Sequence, residues 1–178
     1  KSEFLLALTE AVRLEMTGLA MRLQLDLARI ALDMEHPSEV TSYLEKIRIE
    51  AQLDTELASE VQVIDGQVLH AKGDYQAALV AYKGALGLMH RLSKTPRLIE
   101  TTALAIVSLV QLGRLEEAMN LVGCVGLSSE PPLHGMSPAQ RELVLPALTE
   151  LLTVYDDDAW ALRRINNGGR NPCEFICD

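Results

Sequence analysis

A chain of 178 residues has room for one well-buried core. Hydrophobic residues make up 48% of it but aromatic ones only 4%, so Leu, Ala, Val and Ile dominate, a mixture suited to packed helices rather than a β-sandwich. Sixteen Lys and Arg against 25 Asp and Glu leave a net charge of −9, which repels phosphate and sets direct nucleic-acid binding aside.

The apolar periodicity divides the chain into helices. Phe4, Leu5, Leu8, Ala11 and Val12 recur at three- and four-residue spacing and predict an amphipathic helix over the first 15 residues. Met16 to Asp33 places Leu19, Leu23, Leu27, Ile30 and Ala31 on one side, with Arg22, Asp26, Arg29 and Asp33 near the other. His36-Pro37-Ser38-Glu39 interrupts the pattern, proline suiting the first turn of a new helix that carries Val40, Tyr43, Leu44, Ile47 and Ala51. Helices follow over Leu57–Ala71 and Tyr75–Arg91, separated by a tight break at Lys72-Gly73-Asp74. Arg97–Leu112 contains the β-branched Ile106 and Val107, yet its length and its end at Gly113 predict a buried helix, not a strand. Leu115–Val122 is a short helix, and residues 126–137 form a loop around Pro131-Pro132. Ser137-Pro138 opens a further helix to about Tyr155, with a kink expected at Pro146, and Asp156-Asp157-Asp158 caps a short one over Ala159–Ile165. Residues 166–178 have no periodicity.

No apolar run approaches the roughly eighteen residues of a membrane span. Cys124, Cys173 and Cys177 form no disulfide framework, so a reducing compartment is expected, intracellular and either cytoplasmic or nuclear. The start at Lys1 lacks an initiator methionine and a leader pattern, which suggests a fragment or a processed chain.

Internal periodicity shows between residues 16 and 125. Gly66, Leu69, Gly73, Asp74, Tyr75, Ala78, Tyr82, Ala85 and Leu86 stand at spacings that resemble a tetratricopeptide repeat, with Asp65 departing from the large apolar residue usual before that first glycine. Ile106, Leu109, Gly113, Leu115, Ala118 and Val122 stand in the same register, Gly113 lying 40 residues after Gly73. Upstream, Ala28, Ala31, Val40, Leu44 and Ile47 match Gly66, Leu69, Ala78, Tyr82 and Ala85 at a shift of 38 residues. The resemblance implies an all-α, right-handed superhelix of three antiparallel helix pairs over residues 16–125, flanked by N- and C-terminal helices. Within it Gly66 and Ala78 would let paired helices approach, Gly73 would take the left-handed conformation that ends a helix, and Tyr75, Tyr82 and Ala85 would fill the groove between hairpins.

The resemblance also implies a concave face built from the first helix of each pair. That face would carry Arg22, Leu25, Asp26 and Arg29, then Glu60, Val63, Ile64, Gln67 and His70, then Glu100, Ala103, Leu104, Val107 and Val110. Chaperone-binding relatives grip a C-terminal carboxylate with basic and amide side chains here. Glu60, Ile64, Glu100 and Leu104 stand at those places, and carboxylates there would repel such a ligand. An apolar groove with an acidic edge instead suits an apolar or amphipathic protein segment with basic flanks. The same apolar residues equally suit a core covered by the N-terminal helix or by the region after Pro138.

Sequence signatures of catalysis are lacking: there is no phosphate-binding G-x-x-x-x-G-K-[ST] loop, no H-E-x-x-H and no G-x-S-x-G. His36, His70, His90 and His134 are scattered, His70 reading as a helix-end histidine satisfied by backbone carbonyls. Cys173 and Cys177 lack a second pair to complete a zinc site, and the Asp156–Asp158 run reads as capping charge. Arg163, Arg164 and Arg170 make too small a basic patch for nucleic acid, and Trp160 reads as an anchor for the last helix. The reading that follows is a non-catalytic scaffold or adaptor subunit without cofactor or metal. A regulatory domain sensing a peptide or small effector is the alternative.

Overall fold

The computed structural model describes residues 1–51, 54–92, 95–125 and 138–154. The described residues form eight helices: α1 (Ser2–Arg13), α2 (Thr17–Asp33), α3 (Pro37–Ala51), α4 (Thr55–Ala71), α5 (Tyr75–Leu92), α6 (Thr95–Gln111), α7 (Leu115–Val125) and α8 (Pro138–Val154). No strand occurs among them, so the described part of the chain is all-helical as expected, and Ile106 and Val107 lie within α6. None of these helices is long and apolar enough to cross a membrane. The expected loop at 126–137, the short helix over Ala159–Ile165 and the tail at 166–178, with Trp160, Cys173 and Cys177, lie outside the described residues.

Four of the connections are one turn built four times. Glu15, Glu35, Gly73 and Gly113 adopt positive φ values of 57°, 58°, 79° and 69°. In each case the next residue's N–H reaches back five residues: Met16 to the Ala11 carbonyl, His36 to Ala31, Asp74 to Leu69 and Arg114 to Leu109, at 2.9–3.0 Å. This left-handed closure satisfies carbonyls that a helix end would otherwise leave bare and reverses the chain at once. Asp74 also caps α5 by accepting from the Ala77 N–H (3.1 Å), and Asp54 caps α4 through the Glu56 and Leu57 N–H groups. Glutamate occupies the left-handed position at residues 15 and 35, where glycine would have signalled the turn.

Packing runs in chain order. α1 lies on α2, α2 on α3, α4 on α5 and α6 on α7, while α3 also meets α4 and α5 meets α6. A second set of contacts links α2 to α4, α4 to α6 and α6 to α8, so the even-numbered helices form a row. Two apolar clusters fill the interior. Leu25, Ala28 and Ala31 of α2 pack with Val40, Leu44 and Ile47 of α3 and with Leu57, Val61, Ile64 and Val68 of α4. Val63 of α4 joins the second cluster instead, with Ala78, Tyr82 and Leu86 of α5, the buried run of α6, Ala118 and Met119 of α7 and Val144, Ala147 and Leu151 of α8. α4 is therefore a wall shared by both clusters, and its apolar residues cannot be confined to one stripe. α6 is enclosed more fully: every residue from Glu100 to Val110 is buried.

Three pairs of register-equivalent positions carry residues of different sizes. Ala28 and Leu44 in the first pair of helices, Gly66 and Tyr82 in the second, and Ile106 and Val122 in the third stand at equivalent places and belong to or pack against these clusters, except that Gly66 instead receives the Tyr82 ring directly. Between α4 and α5 the large Tyr82 ring fills the space that the missing side chain of Gly66 leaves. Asp65, where the tetratricopeptide pattern has a large apolar residue, forms an ion pair at 2.7 Å with Arg48 of α3. The apolar packing expected at that junction is replaced by charge. α8 starts at Pro138 as expected and runs through Pro146 to Val154.

Candidate functional site

The row of α2, α4 and α6 presents the face expected to bind a partner, and its chemistry differs from the expectation. Val63, Ile64, Ala103, Leu104, Val107 and Val110 are buried, Ile64 and Ala103 completely. Neighbouring helices cover them, so they are core rather than the floor of an open groove. The physical reason is the stacking itself: a helix flanked on two sides buries most of its circumference, and the apolar positions are the ones turned inward.

The polar residues of the same face come together instead. Glu60 of α4 receives the Arg29 guanidinium of α2 on one carboxylate oxygen and Arg97 Nε of α6, at 3.3 Å, on the other. Arg97 Nη1 in turn donates to Glu100 at 3.0 Å, and Gln140 Nε2 of α8 donates to the second Glu100 oxygen at 2.8 Å. Asp26 adds a contact to Arg29 at 3.4 Å. One continuous chain of side chains thus joins α2, α4, α6 and α8. The Glu60 and Glu100 side chains are only 14% and 10% exposed while Arg97 is 39% exposed, so the carboxylates are sheltered and the loss of their partners is costly. Burial, followed by the nearby positive charge of Arg97, lowers the pKa of Arg29, with Asp26 and Glu100 opposing.

This chain of charges separates two clefts. The larger, of about 460 Å³, is lined by Gly18, Met21, Arg22, Leu25, Asp26 and Arg29 of α2, Asp54, Glu56, Leu57 and Glu60 at the start of α4, and Arg97. The smaller, of about 160 Å³, lies between Arg29, Leu32, Asp33, Val63, Gln67, Arg97, Glu100 and Gln140. Six carboxylates, from Asp26, Asp33, Asp54, Glu56, Glu60 and Glu100, face three guanidiniums, from Arg22, Arg29 and Arg97, across the two. Glu60 and Glu100, expected as an acidic edge, are instead largely covered and paired with arginines within this mixed-charge lining.

His70 stands apart from this network. Its Nδ1 lies 3.2 Å from the Ser108 hydroxyl of α6, and its ring meets Tyr75 edge-on at a centroid distance of 4.9 Å. The expected backbone carbonyl partners are replaced by a side chain on the next helix pair. Burial lowers the His70 pKa.

Arg97 and Gln140 were not among the residues anticipated for this face. Arg97 had a local signal, the three-residue spacing to Glu100 on one helix, which brings side chains together. Gln140 had none, because the packing of α8 on α6 is a long-range event. Among the described residues, no group of three or more His, Cys, Asp or Glu side chains is placed to hold a metal ion. No family model, no curated protein and no solved structure matches the chain.

Proposed function

We propose that this chain is a non-catalytic protein-interaction module, a tetratricopeptide-like helical scaffold or adaptor that holds a segment of another protein against the row of α2, α4 and α6. The observation that carries the reading is that row, with two adjacent clefts whose carboxylates outnumber their guanidiniums two to one. The recurrence of one turn at Glu35, Gly73 and Gly113, at the 38- and 40-residue shifts of the sequence register, supports helix pairs stacked as repeats. Met21 and Leu32, both partly exposed, supply apolar contact within the clefts. The partner that fits is an extended or amphipathic segment whose apolar side chains meet those residues and whose Lys or Arg flanks meet the carboxylates.

A small-effector sensor is less well supported. Small ligands are usually held in mostly apolar pockets, whereas seven of the eleven residues lining the larger cleft are charged. Copurification from extract tests the scaffold reading. A partner retained by the parent chain should be lost by a Met21→Lys/Gln67→Lys variant, which places a new cation in each cleft. A partner set unchanged by that variant would remove the α2–α4–α6 face from consideration.

A further inference from the structure

The last helix of the row is seated differently from the others. α4 rests chiefly on α3 and α6 chiefly on α5, each on the helix just before it, and their contacts across the row with α2 and α4 are slighter. α8 reverses this order: it packs mainly on α6 and only marginally on α7. Among its described side chains, Val144, Ala147 and Leu151 are buried, and Gln140 is half-buried. These four are spaced by four, three and four residues, so one edge of the helix makes the contact. The apolar three join the cluster of α5, α6 and α7, while Gln140 donates to Glu100 and closes the smaller cleft opposite Arg29 and Asp33 of α2. An amphipathic helix from another protein lies in a groove in the same way.

α8 fits this seat imperfectly. Pro146 lies in the middle of it and has no N–H to offer the Glu142 carbonyl, so the helix lacks a bond where it makes its contact. Leu143 and Leu145, on either side of Val144, are 37% and 48% exposed and gain little from the seat. Gln140 meets the Glu100 oxygen that Arg97 Nη1 leaves open. The network it joins sets three carboxylates, of Asp26, Glu60 and Glu100, against two guanidiniums, of Arg29 and Arg97. A cation in the place of Gln140 would balance that charge and bond Glu100 more strongly than a neutral amide does.

We propose that the seat of α8 on α6 is a groove for an amphipathic helix of a partner protein, and that α8 occupies it until such a helix takes its place. The displacing helix carries apolar residues at the spacing of Val144, Ala147 and Leu151, Lys or Arg at the place of Gln140, and no proline between them. The proposal rests on the reading of the α2–α4–α6 row as the partner-binding face and adds how the α6 end of that face is opened. Apparent affinity for the partner is then lowered by the fraction of chains in which α8 is seated.

The test uses a fluorescein-labelled synthetic peptide of residues 138–154 carrying Gln140→Lys and Pro146→Ala, titrated with the full chain by fluorescence anisotropy. Its two cationic and two anionic side chains balance, so general attraction to an acidic protein does not enter. The peptide should bind the parent, and about tenfold or more tighter to a Val144→Asp/Leu151→Asp variant whose own α8 is unseated. A peptide of the same composition in scrambled order should bind neither. Hydrogen exchange of the parent provides a second reading that needs no variant. Added peptide should speed exchange in α8 and leave α4 and α5 protected, as followed in peptic fragments containing residue 146, which differ in mass between chain and peptide. If circular dichroism shows the variant to have lost more helix than α8 supplies, the exchange result on the parent decides. A peptide that binds neither chain, or binds the parent without loosening α8, would overturn the proposal, as would a folded variant that binds no more tightly than the parent. No natural partner is used, so failure here strikes the role of α8 alone, whereas failure of the copurification strikes the reading of the face.

Discussion

The ring of Tyr82 on α5 lies against the backbone of Gly66 on α4, so closely that a Cβ built on the glycine would stand 2.5 Å from Cε1 and 2.7 Å from Cδ1. Two long helices meet here through a large ring and no side chain at all. Tyr82 is fully buried, its hydroxyl finds no hydrogen-bond partner among the described residues, and burial raises its pKa.

That contact predicts opposite outcomes for two small changes. Gly66→Ala should lower stability by about 1–3 kcal/mol through overpacking, although alanine is the better helix former by about 1 kcal/mol. Tyr82→Phe keeps the ring, removes the unsatisfied hydroxyl, and should be neutral or up to about 1 kcal/mol more stable. Urea unfolding of both variants measures this. A Tyr82→Phe chain weaker by more than about 1 kcal/mol would show that the hydroxyl has a partner.

The four tight turns predict a contrast between glutamate and glycine. Left-handed backbone costs a residue with a side chain roughly 1–2 kcal/mol, so Glu35→Gly should raise stability by about 0.5–1 kcal/mol after the added freedom of the unfolded chain is deducted. Gly73→Ala and Gly113→Ala should each lower it by about 1 kcal/mol. Thermal melts of the three variants at one pH decide the matter. The absence of a sign difference between positions 35 and 73 would contradict the shared geometry.

Glu60 links two arginines from two other helices, and its removal should be felt at both. Glu60→Gln is expected to destabilise by about 2–4 kcal/mol, because two guanidiniums remain close together without their shared carboxylate. Sheltered pairs respond weakly to ionic strength, so the difference from the parent should persist at high salt. A difference that vanished in 1 M salt, where the Debye length is about 3 Å, would mark the network as a surface feature.

His70 predicts a pH dependence. Its folded pKa is depressed from 6.5, so the unfolded chain binds the proton more readily than the folded one. The stability gained from keeping His70 neutral is therefore present above about pH 6.5 and lost as the pH falls below it. His70→Gln should flatten the stability profile just below about pH 6.5. Unfolding curves of parent and variant across that range measure the difference.

Much of the fold is legible in the residues themselves. Leu–Ala-rich periodicity specifies helices, and glycine marks the turns at 73 and 113, since only there does a residue type announce positive φ. The turns at Glu15 and Glu35 carry no such mark, and only the hydrogen bonds to Ala11 and Ala31 reveal them as the same structure. The face formed by α2, α4 and α6 was less legible. Glu60, Glu100 and Arg29 could be placed on one face by register, but register does not say whether Ile64 or Leu104 beside them is open or covered.

Helix identity, the position of two of the tight turns and the acidic balance follow from local sequence, because a helix and its ends depend on residues within one or two turns of one another. Which apolar residues are core, and that Arg97 and Gln140 complete the charge network with Glu60 and Glu100, were decided by tertiary packing alone. Those outcomes depend on which helices touch across tens of residues, and periodicity within a single helix carries no record of how many neighbours it will have.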